Sequence, residues 1–253
     1  MSGIKRLFWD IETSPNVGLF WKSGYKVSIP PENIIQEKKI ICICWKWEGH
    51  KRVFSATWDK GDDSKLIEEF LPVLESADEA VAHNGDGFDL KWFNAQAMQY
   101  GLVVPADTKT VDTLVIARKR FYLNSNRLDY IARLLFGEGK RETGYQLWKD
   151  ILLHNDPKAL KDMVAYCQED VRLLERIYEQ IAPFHAPKTH VGVLLGEPRW
   201  TCPHCGSYDM RRKKRRPTAK GMIQHSMVCN DCFKHCTLSD WAYKKLTGKS
   251  VTL

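Results

Sequence analysis

Two pairs of cysteines constrain the fold of this chain more than any other feature: Cys202-Pro203-His204-Cys205 and Cys229-Asn230-Asp231-Cys232. Each pair has Cys-x2-Cys spacing, and 23 residues lie between the pairs. Four thiolates gathered in this way make the closed tetrahedron that suits a structural Zn²⁺ ion. Pro203, Gly206, Asn230 and Asp231 fit the tight bends that such knuckles require. A segment of this size is too small to build an adequate core of its own, so the metal is expected to be structural and not catalytic. Cys236, His204, His225 and His235 lie close enough in sequence to replace one ligand, and the spacing leaves that open.

The pattern resembles a zinc ribbon, which the reading places at residues 199–253, after a linker at 184–198 rich in proline and glycine. The remaining 1–183 is long enough for one full catalytic domain. Charge divides along the same line. From Pro198 onward, 12 Lys or Arg stand against three acids, whereas 26 basic and 28 acidic residues precede it. Four metal-bound thiolates would lower the tail by about two charges, and it would stay basic. Its densest part is Arg211-Arg212-Lys213-Lys214-Arg215-Arg216, which reads as a phosphate-binding run, with a solvated loop or a nuclear localisation signal as competing readings. A near-neutral body carrying a basic appendage points to a polyanionic partner met through the tail.

The other cysteines, Cys42, Cys44 and Cys167, sit in apolar surroundings and read as buried small hydrophobes. Acids at Asp10 and Glu12 interrupt any apolar leader, and no run reaches the ~18 apolar residues of a membrane helix. The expectation is a soluble protein of the bacterial or phage-infected cytoplasm, where thiols bind metal more readily than they form disulfides.

Periodicity divides the body into elements. Ile4–Thr13 reads as a first strand, and Ser14–Pro31 as a loop. Lys39–Trp47 and Arg52–Trp58 read as a hairpin around Glu48-Gly49-His50-Lys51. Leu66, Phe70, Leu71 and Leu74 recur at helical spacing, a short buried strand follows at Glu79–His83, and a helix at Phe88–Tyr100. Thr110–Phe121 reads as a strand end running into a helix, and Arg127–Phe136 as a further helix. Pro157–Ile181 carries a sustained 3.6-residue period behind the helix start Asn155-Asp156-Pro157. This order predicts an α/β domain, a mixed sheet flanked by helices.

Acidic residues fall at informative places in that frame. Asp10 and Glu12 are two apart at the end of an apolar strand and so share a face. Asp89 opens a helix after His83-Asn84-Gly85-Asp86-Gly87-Phe88, where a carboxylate also suits the helix dipole. Tyr166 and Asp170 are four apart on the longest helix and lie on one face. Hydrolysis of phosphodiesters with two divalent cations needs such carboxylates to converge, because hard ions take oxygen ligands. Taken singly, each of these residues also fits a strand end, a helix cap or an exposed face.

Together the three segments resemble the DEDD superfamily of exonucleases. Phe8-Trp9-Asp10-Ile11-Glu12-Thr13 is similar to its first motif, Asp-x-Glu. Asn84-Gly85-Asp86-Gly87-Phe88-Asp89 is similar to its second, with Asn ahead of Phe-Asp. Tyr166-Cys167-Gln168-Glu169-Asp170 is similar to its third, Tyr-x3-Asp. The last marks the tyrosine-containing branch, with the proofreading domains of B-family DNA polymerases and ribonuclease D. The resemblance spans Ile4–Ile181 and implies a ribonuclease H-like fold, two Mg²⁺ or Mn²⁺ ions and 3′→5′ exonuclease activity. It implies that Asp10 bridges both ions, that Glu12 and Asp170 complete the nucleophile-side ion, and that Asp89 holds the other through water. Tyr166 would orient the attacking water, since a free tyrosine titrates near pH 10 and is a poor base at neutrality. Asn84 and Phe88 would help seat the terminal nucleotide.

Trp9 departs from the pattern, which has a smaller aliphatic residue or Phe before the first Asp, and 253 residues leave no room for a polymerase domain. Three readings therefore stand: an active exonuclease, a nucleic-acid-binding protein on an inactive nuclease scaffold, and a ribonuclease H-like endonuclease such as a resolvase or transposase. The presence of each expected acid and of Tyr166 favours the first. DNA and RNA both stay open as substrates, with the B-family likeness favouring DNA single strands or 3′ ends.

Overall fold

A computed structural model describes residues 4–24, 27–137, 139 and 144–248. The chain divides into two units, Arg6–Tyr178 and a second made of Glu179–Leu253 with Met1–Lys5.

In the first unit the elements run β1 (Arg6–Thr13), β2 (Val17–Gly18), β3 (Ile34–Gln36), β4 (Ile40–Trp47), β5 (Phe54–Thr57), α1 (Ser64–Glu75), β6 (Glu79–Ala82), α2 (Asp89–Gln99), β7 (Thr110–Asp112), α3 (Thr113–Arg120), α4 (Leu128–Phe136), α5 (Gln146–His154) and α6 (Pro157–Ile181). Five strands form one mixed sheet in the order β5-β4-β1-β6-β7, and β2 pairs with β3 apart from it. β4 is antiparallel to both β1 and β5, whereas β1, β6 and β7 run parallel.

β1 is central because it buries both faces. Leu7, Trp9 and Ile11 alternate onto the side where Leu66, Ile67 and Phe70 of α1 and Phe93 of α2 pack. The Trp9 ring stacks on Phe70 at 5.2 Å and meets Phe93 edge-on at 6.3 Å. The large residue ahead of Asp10 thus fills a space between two helices, and its fully buried ring contributes on the order of 2–3 kcal/mol. Phe8 points the other way and meets Tyr178 of α6 at 5.4 Å. Lys46 pairs with Phe8 in the register, so it shares that face and forms a buried ion pair with Glu175 of α6. Glu175 Oε1 also accepts from the Gly49 amide at 2.8 Å. Asp63, wholly buried before α1, accepts from the Ile40 amide at 2.9 Å and from the Tyr100 hydroxyl, with Lys39 Nζ 3.5 Å away.

The expected elements lie within a residue or two of the predicted places. α5 is additional. Ile151 is its one fully buried residue, too weak a stripe to stand out as a period. Its Trp148 indole donates to the Thr13 carbonyl at 3.0 Å, against the end of β1.

The second unit contains α7 (Val191–Leu194), β8 (Met210–Pro217), β9 (Ile223–Cys229), β10 (His235–Ser239) and α8 (Asp240–Leu246). Its three strands form an antiparallel sheet, β10-β9-β8. Met227, Leu238 and Ala242 make the small core, with Trp200 and Trp241 packed against it at 5.6 Å from each other. Residues 184–198 include α7, where the Val191 amide donates to the Pro203 carbonyl at 2.9 Å. A Cβ on Gly192 would meet Thr201 Oγ1 at 2.3 Å, so only glycine permits this approach.

Candidate active site

Alternation along β1 places Asp10 and Glu12 on the face opposite Trp9 and Ile11. α6 lies on that face and brings Asp170, which is almost fully buried. Carboxylate oxygens of Asp10, Glu12 and Asp170 all lie within 4.8 Å of one another. Residues 158 positions apart in sequence therefore meet because a period-2 strand and a period-3.6 helix present the right faces to each other. Tyr166 stands one turn before Asp170 on α6 and lines a cleft of about 670 Å³ with His83, Arg118, Asn126 and Arg127.

Asp89 is the first residue of α2 and 2% exposed. It lies outside the group of three; its Oδ1 accepts from the Ile11 amide at 3.1 Å, between Asp10 and Glu12 in sequence. Asn84 adopts a left-handed backbone, φ 73°, at the turn from β6 towards α2. A Cβ on Gly85 would meet the Ala82 Cβ at 2.5 Å, and one on Gly87 the Asn84 Oδ1 at 2.6 Å. The two glycines allow the turn to close tightly enough to hand Asp89 to β1. Phe88 packs on Trp92, with ring centroids 6.5 Å apart.

Asp112 was not legible as part of this arrangement. It caps α3, accepting from Leu114 and Val115 amides at 2.9 and 3.3 Å. The same carboxylate accepts from the Asn84 and Asp86 amides at 3.0 and 3.3 Å. The Asp-Thr step before a helix is a recognisable cap, but its hold on a turn 28 residues earlier has no local signature.

The thiols of Cys42, Cys44 and Cys167 also converge within 4.8 Å and are fully buried. Cys42 lies opposite Glu12 and Cys44 opposite Asp10 in the strand register. Cys167 Sγ donates to the Asp10 carbonyl at 3.4 Å and reaches its Oδ2 at 3.6 Å. Burial holds the Cys167 thiol well above its ordinary range, so it stays protonated as a donor.

In the second unit Cys202, Cys205, Cys229 and Cys232 form one group within 4.8 Å. The Cys202–Cys232 and Cys205–Cys229 sulfur separations are 3.7 and 3.6 Å. An ion about 2.3 Å from each sulfur of a tetrahedron needs edges of about 3.8 Å, so the donor set fits zinc. Three of the four competing ligands, Cys236, His225 and His204, have contacts of their own. Cys236 Sγ lies 3.8 Å from Met210 Sδ, and buried His225 bonds Asp240 at 2.9 Å and stacks on Tyr243 at 4.0 Å. His204 Nε2 lies 3.1 Å from the His235 carbonyl. Arg211 to Arg216 all lie exposed on β8. Trp241 packs in the core, whereas Tyr208 is half exposed and bonds Glu197 at 2.7 Å. No helix among the described residues is long and apolar enough to cross a membrane.

No curated protein matches the chain. Among solved structures, the family B DNA polymerase from the hyperthermophilic archaeon Pyrobaculum calidifontis is similar at a TM-score of 0.54 and 18% identity, over 72% of this chain and 25% of that one. The chain thus spans about a quarter of that structure, and a likeness at this identity speaks for the fold, here a ribonuclease H-like one. The RNase_H_2 model matches residues 36–182, which takes in Asp89, Tyr166 and Asp170 but begins after Asp10 and Glu12. That match covers more than half of the residues, and the chain belongs to the RNase_H superfamily.

Proposed function

We propose that the chain is a metal-dependent nuclease that removes nucleotides from 3′ ends, of the tyrosine-containing DEDD branch, acting on DNA single strands or 3′ termini. The observation that carries this reading is the convergence of Asp10, Glu12 and Asp170, with Asp89 bonded to the amide between the first two. Three ionised carboxylates at such spacing repel one another by about 3–4 kcal/mol per pair at an effective dielectric of ~20. An all-oxygen donor set of this charge matches hard divalent ions, Mg²⁺ or Mn²⁺. When bound, two such ions supply Lewis acidity at the scissile phosphate and lower the pKa of an attacking water.

The residues then divide the work. In this reading Asp10, Glu12, Asp89 and Asp170 would hold the ions, Asp10 with a share in both, Glu12 and Asp170 on the nucleophile side and Asp89 on the other. Tyr166 orients the water with its hydroxyl, one turn from Asp170. Arg118 and Arg127 beside Tyr166 offer charge to the phosphates of the departing strand. Asn84 and Phe88 seat the terminal nucleotide. The four ribbon cysteines would hold one structural Zn²⁺, and the basic strand Arg211–Arg216 adds affinity for nucleic acid. The likeness to a DNA polymerase supports DNA over RNA.

The test is digestion of 5′-labelled single-stranded DNA, duplex DNA and matching RNA with Mg²⁺ or Mn²⁺, beside a chelator control and Asp10→Ala. A ladder shortening from the 3′ end, lost in both controls, is the expected result. Discrete internal cuts would replace this reading with an endonuclease such as a resolvase, and binding without any cleavage would leave an inactive scaffold.

A further inference from the structure

The six basic residues of β8 do not all face one way. Arg212 pairs with Met227 of the small core, and its guanidinium lies 5.0 Å from the Tyr243 ring. Simple alternation would put Arg212, Lys214 and Arg216 on one face. The register shifts between Arg212 and Lys214, so Lys213 is a bulge and the alternation restarts beyond it. Lys214 then pairs with Ser226, which pairs with Thr237, on the face away from the core. Arg216 follows on that same face and donates to Ser226 Oγ at 2.7 Å. Arg215 pairs with buried His225 and goes to the core side with Arg212.

That outward face lines a cleft of about 790 Å³, with Lys213, Lys214 and Arg216 among its lining residues beside Pro183, Phe184 and Pro187. Phe184 is 56% exposed, on a segment stiffened by two prolines. Cations lined up along a groove beside a partly exposed aromatic ring are the two elements by which proteins hold single-stranded nucleic acid.

We propose that this cleft is a binding site for single-stranded nucleic acid, in which Lys213, Lys214 and Arg216 hold phosphodiesters and Phe184 stacks on an unpaired base. The proposal rests on the reading of the chain as one that acts on nucleic acid. It excludes duplex as the preferred ligand, because a base inside a duplex is stacked on both faces and offers none to Phe184.

The test measures anisotropy of a fluorescent single-stranded oligodeoxynucleotide of about 12 nucleotides, using the full zinc-loaded chain in an Asp10→Asn background over a range of salt. Two charge-matched variants decide whether the cleft or the strand as a whole is responsible. Lys214→Gln/Arg216→Gln should weaken binding about tenfold at low salt and reduce the salt slope by about 1.4, two phosphate contacts at ~0.7 each. Arg212→Gln/Arg215→Gln, on the other face, should change it about twofold or less. Phe184→Leu should weaken binding at least about fivefold without altering the slope, and retained zinc content establishes that each variant is folded. Equal losses from the two double variants, or Phe184→Leu binding like the parent, would overturn the cleft. Cleavage fails independently: wild type that never cuts but shows this binding pattern loses the nuclease reading and keeps the cleft. Wild type that cuts, with cleft variants binding normally, does the reverse.

Discussion

Asp89 accepts from the Ile11 amide at 3.1 Å while nearly buried, so it joins α2 to the strand that carries Asp10 and Glu12. Two substitutions separate its charge from its hydrogen bond. Asp89→Asn keeps an oxygen acceptor for Ile11 but removes a metal-binding charge, so activity should fall by at least about a hundredfold with little change in unfolding free energy. Asp89→Ala leaves a buried amide without its partner and should in addition cost about 1–3 kcal/mol by urea unfolding. An Asp89→Asn variant with full activity would remove Asp89 from the metal-binding set. Tyr166→Phe removes one hydroxyl from a half-buried side chain of α6. Turnover should drop about a hundredfold with KM nearly unchanged, because the hydroxyl acts on water and not on substrate binding. A rise in KM at constant turnover would place Tyr166 in substrate binding instead.

Elements, not residues, decide whether the acids meet, and two buried polar devices set their positions. Asp112 holds both the start of α3 and the Asn84–Gly87 turn, so Asp112→Ala should cost about 2 kcal/mol or more, beyond an ordinary cap. It should also lower activity, since Asp89 opens the helix that follows the turn. The Lys46–Glu175 pair ties α6 to β4 on the face that carries Asp10. Lys46→Met alone strands a buried carboxylate and should cost about 3–5 kcal/mol, whereas Lys46→Met/Glu175→Leu should recover most of it. If the double variant is no more stable than the single, the pair is not the main tie. These devices also explain what could be read in advance. Asp10 with Glu12, and Tyr166 with Asp170, were legible because strand and helix periods place each pair on one face. The reach of Asp112 and Asp63 was not, since their bonds to amides 23 or more residues away leave no mark on their neighbours, and Asp112 shows locally only as the cap of α3. The bulge at Lys213 escaped for a related reason: in a run of six basic residues there is no apolar alternation to break.

At the scale of the whole molecule, the two units differ in what holds them. The first has a core running from Leu7 through Phe70 to Phe93, closed on both faces of β1. The second has Met227, Leu238 and Ala242, too little apolar surface to order its three strands alone. A tetrahedral Zn²⁺ contributes about 10–16 kcal/mol in comparable small peptides, which is enough to decide folding. Calorimetry should therefore show two transitions in the zinc-loaded chain. A strong chelator, or Cys229→Ser, should abolish the one belonging to the second unit and leave the first within a few degrees of its place. The same treatment should take zinc from one atom per chain towards none and flatten the salt dependence of DNA binding, because Lys213, Lys214 and Arg216 act together only while β8 is a strand. Two transitions that survive chelation unshifted would mean that the cysteines do not hold a structural ion. Loss of both at once would mean that the first unit also depends on the metal, and that the acids on β1 and α6 are positioned with the ribbon's help.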